Sequence, residues 1–122
     1  MQTTHARTVV SIDLIGDLDA TLGSIFADTL TGLIAAGTTD VIVMTKHVAL
    51  SSVEGLDVVD AALSTARAEG CSVRLEPGSR RMKAALTAAR MAFDRDDVDR
   101  PRSARHLMIA RHAARPQLKR TA

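Results

Sequence analysis

Aromatic side chains are almost missing from this sequence, which has two Phe, no Tyr and no Trp among 122 residues. A core must therefore be aliphatic, built from Val, Ile, Leu, Ala and Met. Modules that read nucleic acid by stacking bases on aromatic platforms are disfavoured on the same ground. Cysteine is as scarce. Cys71 is alone, so no internal disulfide can form and no cysteine cluster can hold a metal. Apolar runs stay far short of the roughly 20 residues of a membrane-spanning helix. The opening "MQTTHART" is polar and no apolar h-region follows it. The expectation is a cytoplasmic protein with reduced thiols and no membrane insertion.

What is present fits one folded domain. Apolar residues make up 46% of the chain, enough for a single core. The net charge of +2 conceals an asymmetry. Residues 1–93 hold eight Lys/Arg against ten Asp/Glu, whereas residues 94–122 hold eight Lys/Arg against four Asp. At "DRDDVDRPRS" aspartates, arginines and Pro101 replace the apolar pattern, which reads as a linker. The expected division is a domain over 1–93 and a basic tail over 94–122. Within the tail, "SARHLMIARHAAR" predicts a short helix over 103–115 capped by Ser103.

Before the tail, the apolar period alternates between two types. "TVVSIDLIG" (8–16) reads as a strand with protein on both faces. From Thr21 to Ala36 the residues Leu22, Ile25, Phe26, Leu30, Leu33 and Ile34 recur at helical spacing. Asp19 or Thr21 can cap that helix and Gly37 can end it. "DVIVM" (40–44) is an unbroken apolar run of the kind found in buried central strands. Leu56, Val59, Leu63 and Ala66 form the inner stripe of a second helix, about Ser52 to Glu69, and "CSVRLEP" (71–77) alternates as a strand. A third helix is predicted over 79–93, with Met82, Leu86, Ala89 and Phe93 on one side. Strand and helix alternating with short connections implies an α/β layer with mostly parallel pairing.

The ordered set of motifs resembles a known family. "VVSIDLIGDLDA" looks like the first long strand and "GELD" turn of the STAS family, the sulphate-transporter and anti-sigma-factor-antagonist domain. "DVIVMTKHVALSSVEGLDVV" and the following segments, through "CSVRLEPGSRRMKAALTAARMAF", are similar to the remainder of that domain. The resemblance covers roughly residues 8–93. It implies a STAS (anti-anti-sigma factor-like) fold, a small mixed, mostly parallel sheet with helices mainly on one face. It also implies a regulatory protein that is not an enzyme and that binds an anti-sigma factor of the serine kinase type, with no cofactor, no metal and no small-molecule substrate.

Carried over position by position, Gly16, Asp17, Leu18 and Asp19 match the turn, with Asp17 in place of the usual Glu. Gly55 and Leu56 match the "GL" of the family's "DSSGL". Counting back, Glu54 takes the second serine position, Val53 the phosphoacceptor and Ser52 the aspartate before it. Met44 stands where many members carry Asp. Val53 has no hydroxyl and cannot accept a phosphate. The resemblance therefore implies a contact surface made of Asp17, Asp19, Ser51, Ser52, Val53, Glu54 and Asp57, without the usual serine switch. Ser51 and Ser52 remain the candidate phosphorylation sites.

Each feature also has a plain structural reading. "SSVE" fits a capping box with Ser51 at the cap and Glu54 three residues on. Asp17 and Asp19 fit turn and cap chemistry. His5, His47, His106 and His112 form no ligand set. Cys71 reads as a buried small hydrophobe. Two other functions stay open at this level: a regulatory subunit of an ABC-type lipid transport complex, and nucleic-acid contact through the basic tail.

Overall fold

The computed structural model describes residues 7–50, 52–93 and 104–110. Strand β1 (Val9–Leu18) runs through the middle of the molecule. Helix α1 (Ala20–Ala35), strand β2 (Asp40–Leu50), helix α2 (Val53–Ala68), strand β3 (Ser72–Glu76), helix α3 (Arg80–Ala88) and strand β4 (Arg105–Ala110) follow in that order. The sheet order is β3-β2-β1-β4 and every pairing is parallel. The carboxyl ends of all four strands therefore lie along one edge, the usual place for function in an open α/β sheet.

Alternation along β1 divides the two faces. Val10, Ile12 and Leu14 are fully buried and join Val41, Val43, Leu75 and Ile109 from the other strands. Onto this face pack Leu22, Phe26 and Leu30 of α1 and Leu56, Val59 and Leu63 of α2. Met82 and Leu86 of α3 complete the layer. The helix stripes read from the sequence are thus the core. With few aromatics, close packing comes from small spacings: a Cβ on Gly23 of α1 would lie 2.9 Å from the Cβ of Val58 on α2. Gly37 and Gly70, each with positive φ, end α1 and α2 in the left-handed conformation that glycine adopts without strain.

The structure departs from the sequence expectations in four places. The short helix predicted over 103–115 is a strand across Arg105–Ala110, paired with β1 from Val10↔Arg105 to Ile15↔Ala110. Leu107 and Ile109 turn inward, and His106 Nδ1 lies 2.8 Å from the Ser11 hydroxyl on the next strand. Ser103, its expected cap, lies outside the described residues. The sheet thus draws on residues beyond 93. Strand β2 extends past Met44 to Leu50 through an irregularity opposite Leu14. Helix α3 stops at Ala88, where Arg90 takes a positive φ of 59°. Ala89 is consequently exposed, while Met91 and Phe93 still reach the core from the chain that follows.

Cys71 is buried, and burial pushes its thiol pKa up. It behaves as a small hydrophobe at the start of β3. At the opposite, amino edge of the sheet, Arg7 reaches Asp40 at 2.9 Å. The Arg7 hydrogen bond holds the Asp40 carboxyl below its ordinary range.

Two outcomes follow from this architecture. Ile109→Ala should cost about 2 kcal/mol in urea unfolding, whereas Met108→Ala at the neighbouring exposed position should stay within about 0.5 kcal/mol. Equal effects would contradict the strand. The lowered Asp40 pKa adds stability above the ordinary carboxylate range, lost as pH falls through the folded value. Asp40→Asn should therefore flatten the acid side of the pH–Tm curve and leave its alkaline side unchanged in shape.

Candidate partner-binding edge

The candidate residues gather where β1 and β2 end. Asp17 is exposed near the end of β1, opposite Ala49 of β2. The chain then turns sharply, with the Asp19 N–H donating to the Asp17 carbonyl at 3.1 Å. Asp19 is the N-cap of α1, and its carboxylate accepts the Leu22 N–H at 2.9 Å. That bond satisfies one of the donors a helix start leaves open. Asp19 is half-buried by this role, so Asp17 is the more accessible acid of the turn.

Helix α2 begins one residue later than the capping-box reading implies. Ser52, not Ser51, is the N-cap, and its hydroxyl accepts the Gly55 N–H at 3.3 Å. Ser51 lies outside the described residues. Glu54 is then the second helical residue, not the third, so the third position is Gly55, which has no side chain to reach back. The reciprocal box is replaced by a serine cap with Glu54 near the positive end of the helix dipole. Val53, the first helical residue, is 69% exposed. Glu54 and Asp57 are exposed beside it.

Gly55 joins the two halves of the edge. A Cβ built there would lie 2.6 Å from the Leu18 carbonyl oxygen, 2.8 Å from the Leu18 carbonyl carbon and 3.0 Å from the Asp19 carbonyl carbon. The first turn of α2 therefore sits directly on the backbone of the β1–α1 turn. The sequence pattern placed glycine here but did not reveal why. Only the absence of a side chain permits the contact, which brings the first turn of α2, with Val53 and Glu54, against the Leu18–Asp19 backbone. The resulting surface is acidic and solvent-facing, with one bare aliphatic side chain at its helix end.

Among the described residues no group of three or more His, Cys, Asp or Glu is placed to hold a metal, and no helix is long and apolar enough to cross a membrane. Neither the Leu22–Asp19 nor the Gly55–Ser52 hydrogen bond at the edge pairs a nucleophile with a base.

Comparison with known proteins rests on shape. No family model matches the chain, and no curated protein sequence matches it. Among solved structures it is similar to the anti-sigma factor antagonist SpoIIAA in its unphosphorylated form, with a TM-score of 0.59 over 98% of this chain and 94% of that one. The chain has the anti-sigma factor antagonist fold. Identity is 16%, so what the two share is the STAS-like architecture: a parallel sheet with its helices stacked on one face. The edge just described lies at the carboxyl ends of the central strands, next to the start of α2.

Substitutions at the join have distinct costs. Gly55→Ala should lower stability by about 1–3 kcal/mol through overpacking against backbone that has nowhere to move. Ser52→Ala should cost about 1 kcal/mol through loss of the cap. Thermal or denaturant unfolding checks both, and a neutral Gly55→Ala would contradict the close seating.

Proposed function

We propose that the protein is an anti-sigma factor antagonist-like regulator that works by protein–protein contact at this edge. Its partner is an anti-sigma factor of the serine kinase type. The observation that carries the reading is the seating of Gly55 on Leu18 and Asp19, which gathers Asp17, Val53, Glu54 and Asp57 into one exposed surface. The antagonist fold supports it.

The acceptor position of the resemblance is filled by Val53, whose exposed side chain offers an apolar contact and no hydroxyl. The nearby Ser52 hydroxyl is engaged as a helix cap. Contact with the partner is therefore not switched off by phosphate at the usual place. Acids around Val53 would also oppose a phosphate added there. Residues 111–122 lie outside the described residues.

A direct test incubates the protein with a cognate anti-sigma kinase and ATP, then reads binding by calorimetry and phosphate by mass spectrometry. The wild type should bind and stay unmodified. Val53→Asp should weaken binding by about 2 kcal/mol, since a buried central contact would gain an unpaired charge. Val53→Ser should acquire phosphate at residue 53 and then release the partner. Stoichiometric phosphate on Ser51 or Ser52 of the wild type, lost in the Ser→Ala variants, would overturn the switchless reading.

A further inference from the structure

Three cations converge on one cavity that the candidate edge does not use. The convergence is built by the irregularity in β2. Between the pairings Asp13↔Met44 and Ile15↔His47, β2 carries one residue more than β1, so Thr45 and Lys46 together oppose Leu14. The Thr45 side chain is buried and its hydroxyl is shared between the carbonyl oxygens of Glu76 and Pro77, each at 3.2 Å. Gly78 follows with φ of +73°, and a Cβ there would meet the Lys46 Cβ at 2.6 Å and its Cα at 3.0 Å. The turn after β3 is thus clamped against Lys46. Two residues on, α3 starts and presents Arg80 and Arg81 to the same space.

The cavity has a volume of about 610 Å³, within the range of small-molecule sites. Val48, Ala49, Met82 and Ala85 supply apolar wall, while Lys46, Arg80 and Arg81 supply positive charge. Among the described residues no acidic side chain lines it. None of the three cations has an ion-pair or hydrogen-bond partner among the described residues. Three like charges around a partly apolar hollow concentrate positive potential there, which favours the entry of an anion. Two Arg forks and a Lys suit a doubly charged phosphate better than a single carboxylate.

We propose that this cavity binds a small phosphate monoester carrying an apolar group. The phosphate sits among Lys46, Arg80 and Arg81, and the apolar group lies against Val48, Met82 and Ala85. The site is independent of the contact surface: Ala49, opposite Asp17, is the border between the two.

The test titrates the isotope-labelled full chain with phenyl phosphate and follows backbone amide shifts. Saturable shifts confined to residues 46–49 and 78–85 are expected. The triple variant Lys46→Gln/Arg80→Gln/Arg81→Gln should weaken binding at least about tenfold. All three side chains are exposed, so the spectrum elsewhere should be unchanged. Inorganic phosphate and phenol, each carrying half of the ligand, should each bind at least about tenfold more weakly than phenyl phosphate. Absent shifts, shifts centred on Arg67 or Arg74, or unaltered affinity in the triple variant would overturn the proposal. So would inorganic phosphate binding as tightly as phenyl phosphate.

Discussion

The structure depends most on a contact between backbones. Gly55 lets the start of α2 rest on Leu18 and Asp19 with no side chain between them. That single approach fixes the height of α2 over the sheet and with it the depth to which Leu56, Val59 and Leu63 enter the core. It also determines what remains outside: Val53 cannot fold inward, because the residue two positions on is already pressed against the turn. Stability and surface chemistry at this edge therefore have one cause. The same economy holds between α1 and α2 at Gly23 and Val58. In a core whose only rings are Phe26 and Phe93, close approach of the elements replaces bulk as the means of excluding voids.

Much of the architecture was legible in the sequence because local signals and global packing agree there. The stripe Leu22–Phe26–Leu30, the Asp19 cap and the glycines at 37 and 70 each point to the element that forms. The failures have physical reasons. "RHLMIA" is too short to separate a period of two from one of 3.6, and it stands among charged residues, so it reads as a solvated helix. It becomes a strand because β1 has an unpaired edge that Leu107 and Ile109 can complete. Lys46 and His47 look like loop residues; pairing with β1 across the irregularity keeps them in β2. The capping-box pattern favours Ser51, because Glu54 stands three residues on, but the seating of Gly55 starts the helix at Val53 and makes Ser52 the cap. The cationic cavity was not legible at all. Lys46 and Arg80 are far apart in sequence, and their meeting rests on Thr45 and Gly78, residues that carry no charge signal.

The carboxyl edge of the sheet is consequently polar in two senses. On the side of α1 and α2 it shows Asp17, Glu54 and Asp57, and on the side of α3 it shows Lys46, Arg80 and Arg81. Ala49 marks the boundary. A nearly neutral composition thus hides two opposed fields within one edge, and a partner laid across it would be oriented as well as attracted.

The pairing of β4 with β1 has a consequence for synthesis. Among the described strands, the one made first is the inner neighbour of the one made last, and the Ser11–His106 contact spans 95 positions of chain. As the polypeptide leaves the ribosome, β2 can join β1 early, yet one flank of β1 stays an open template until residue 110 has emerged. Such long-range closure slows folding and leaves an adhesive strand exposed throughout elongation. The nascent chain is therefore most vulnerable to mispairing late in translation, when its helices are already in place but its sheet still has a missing side.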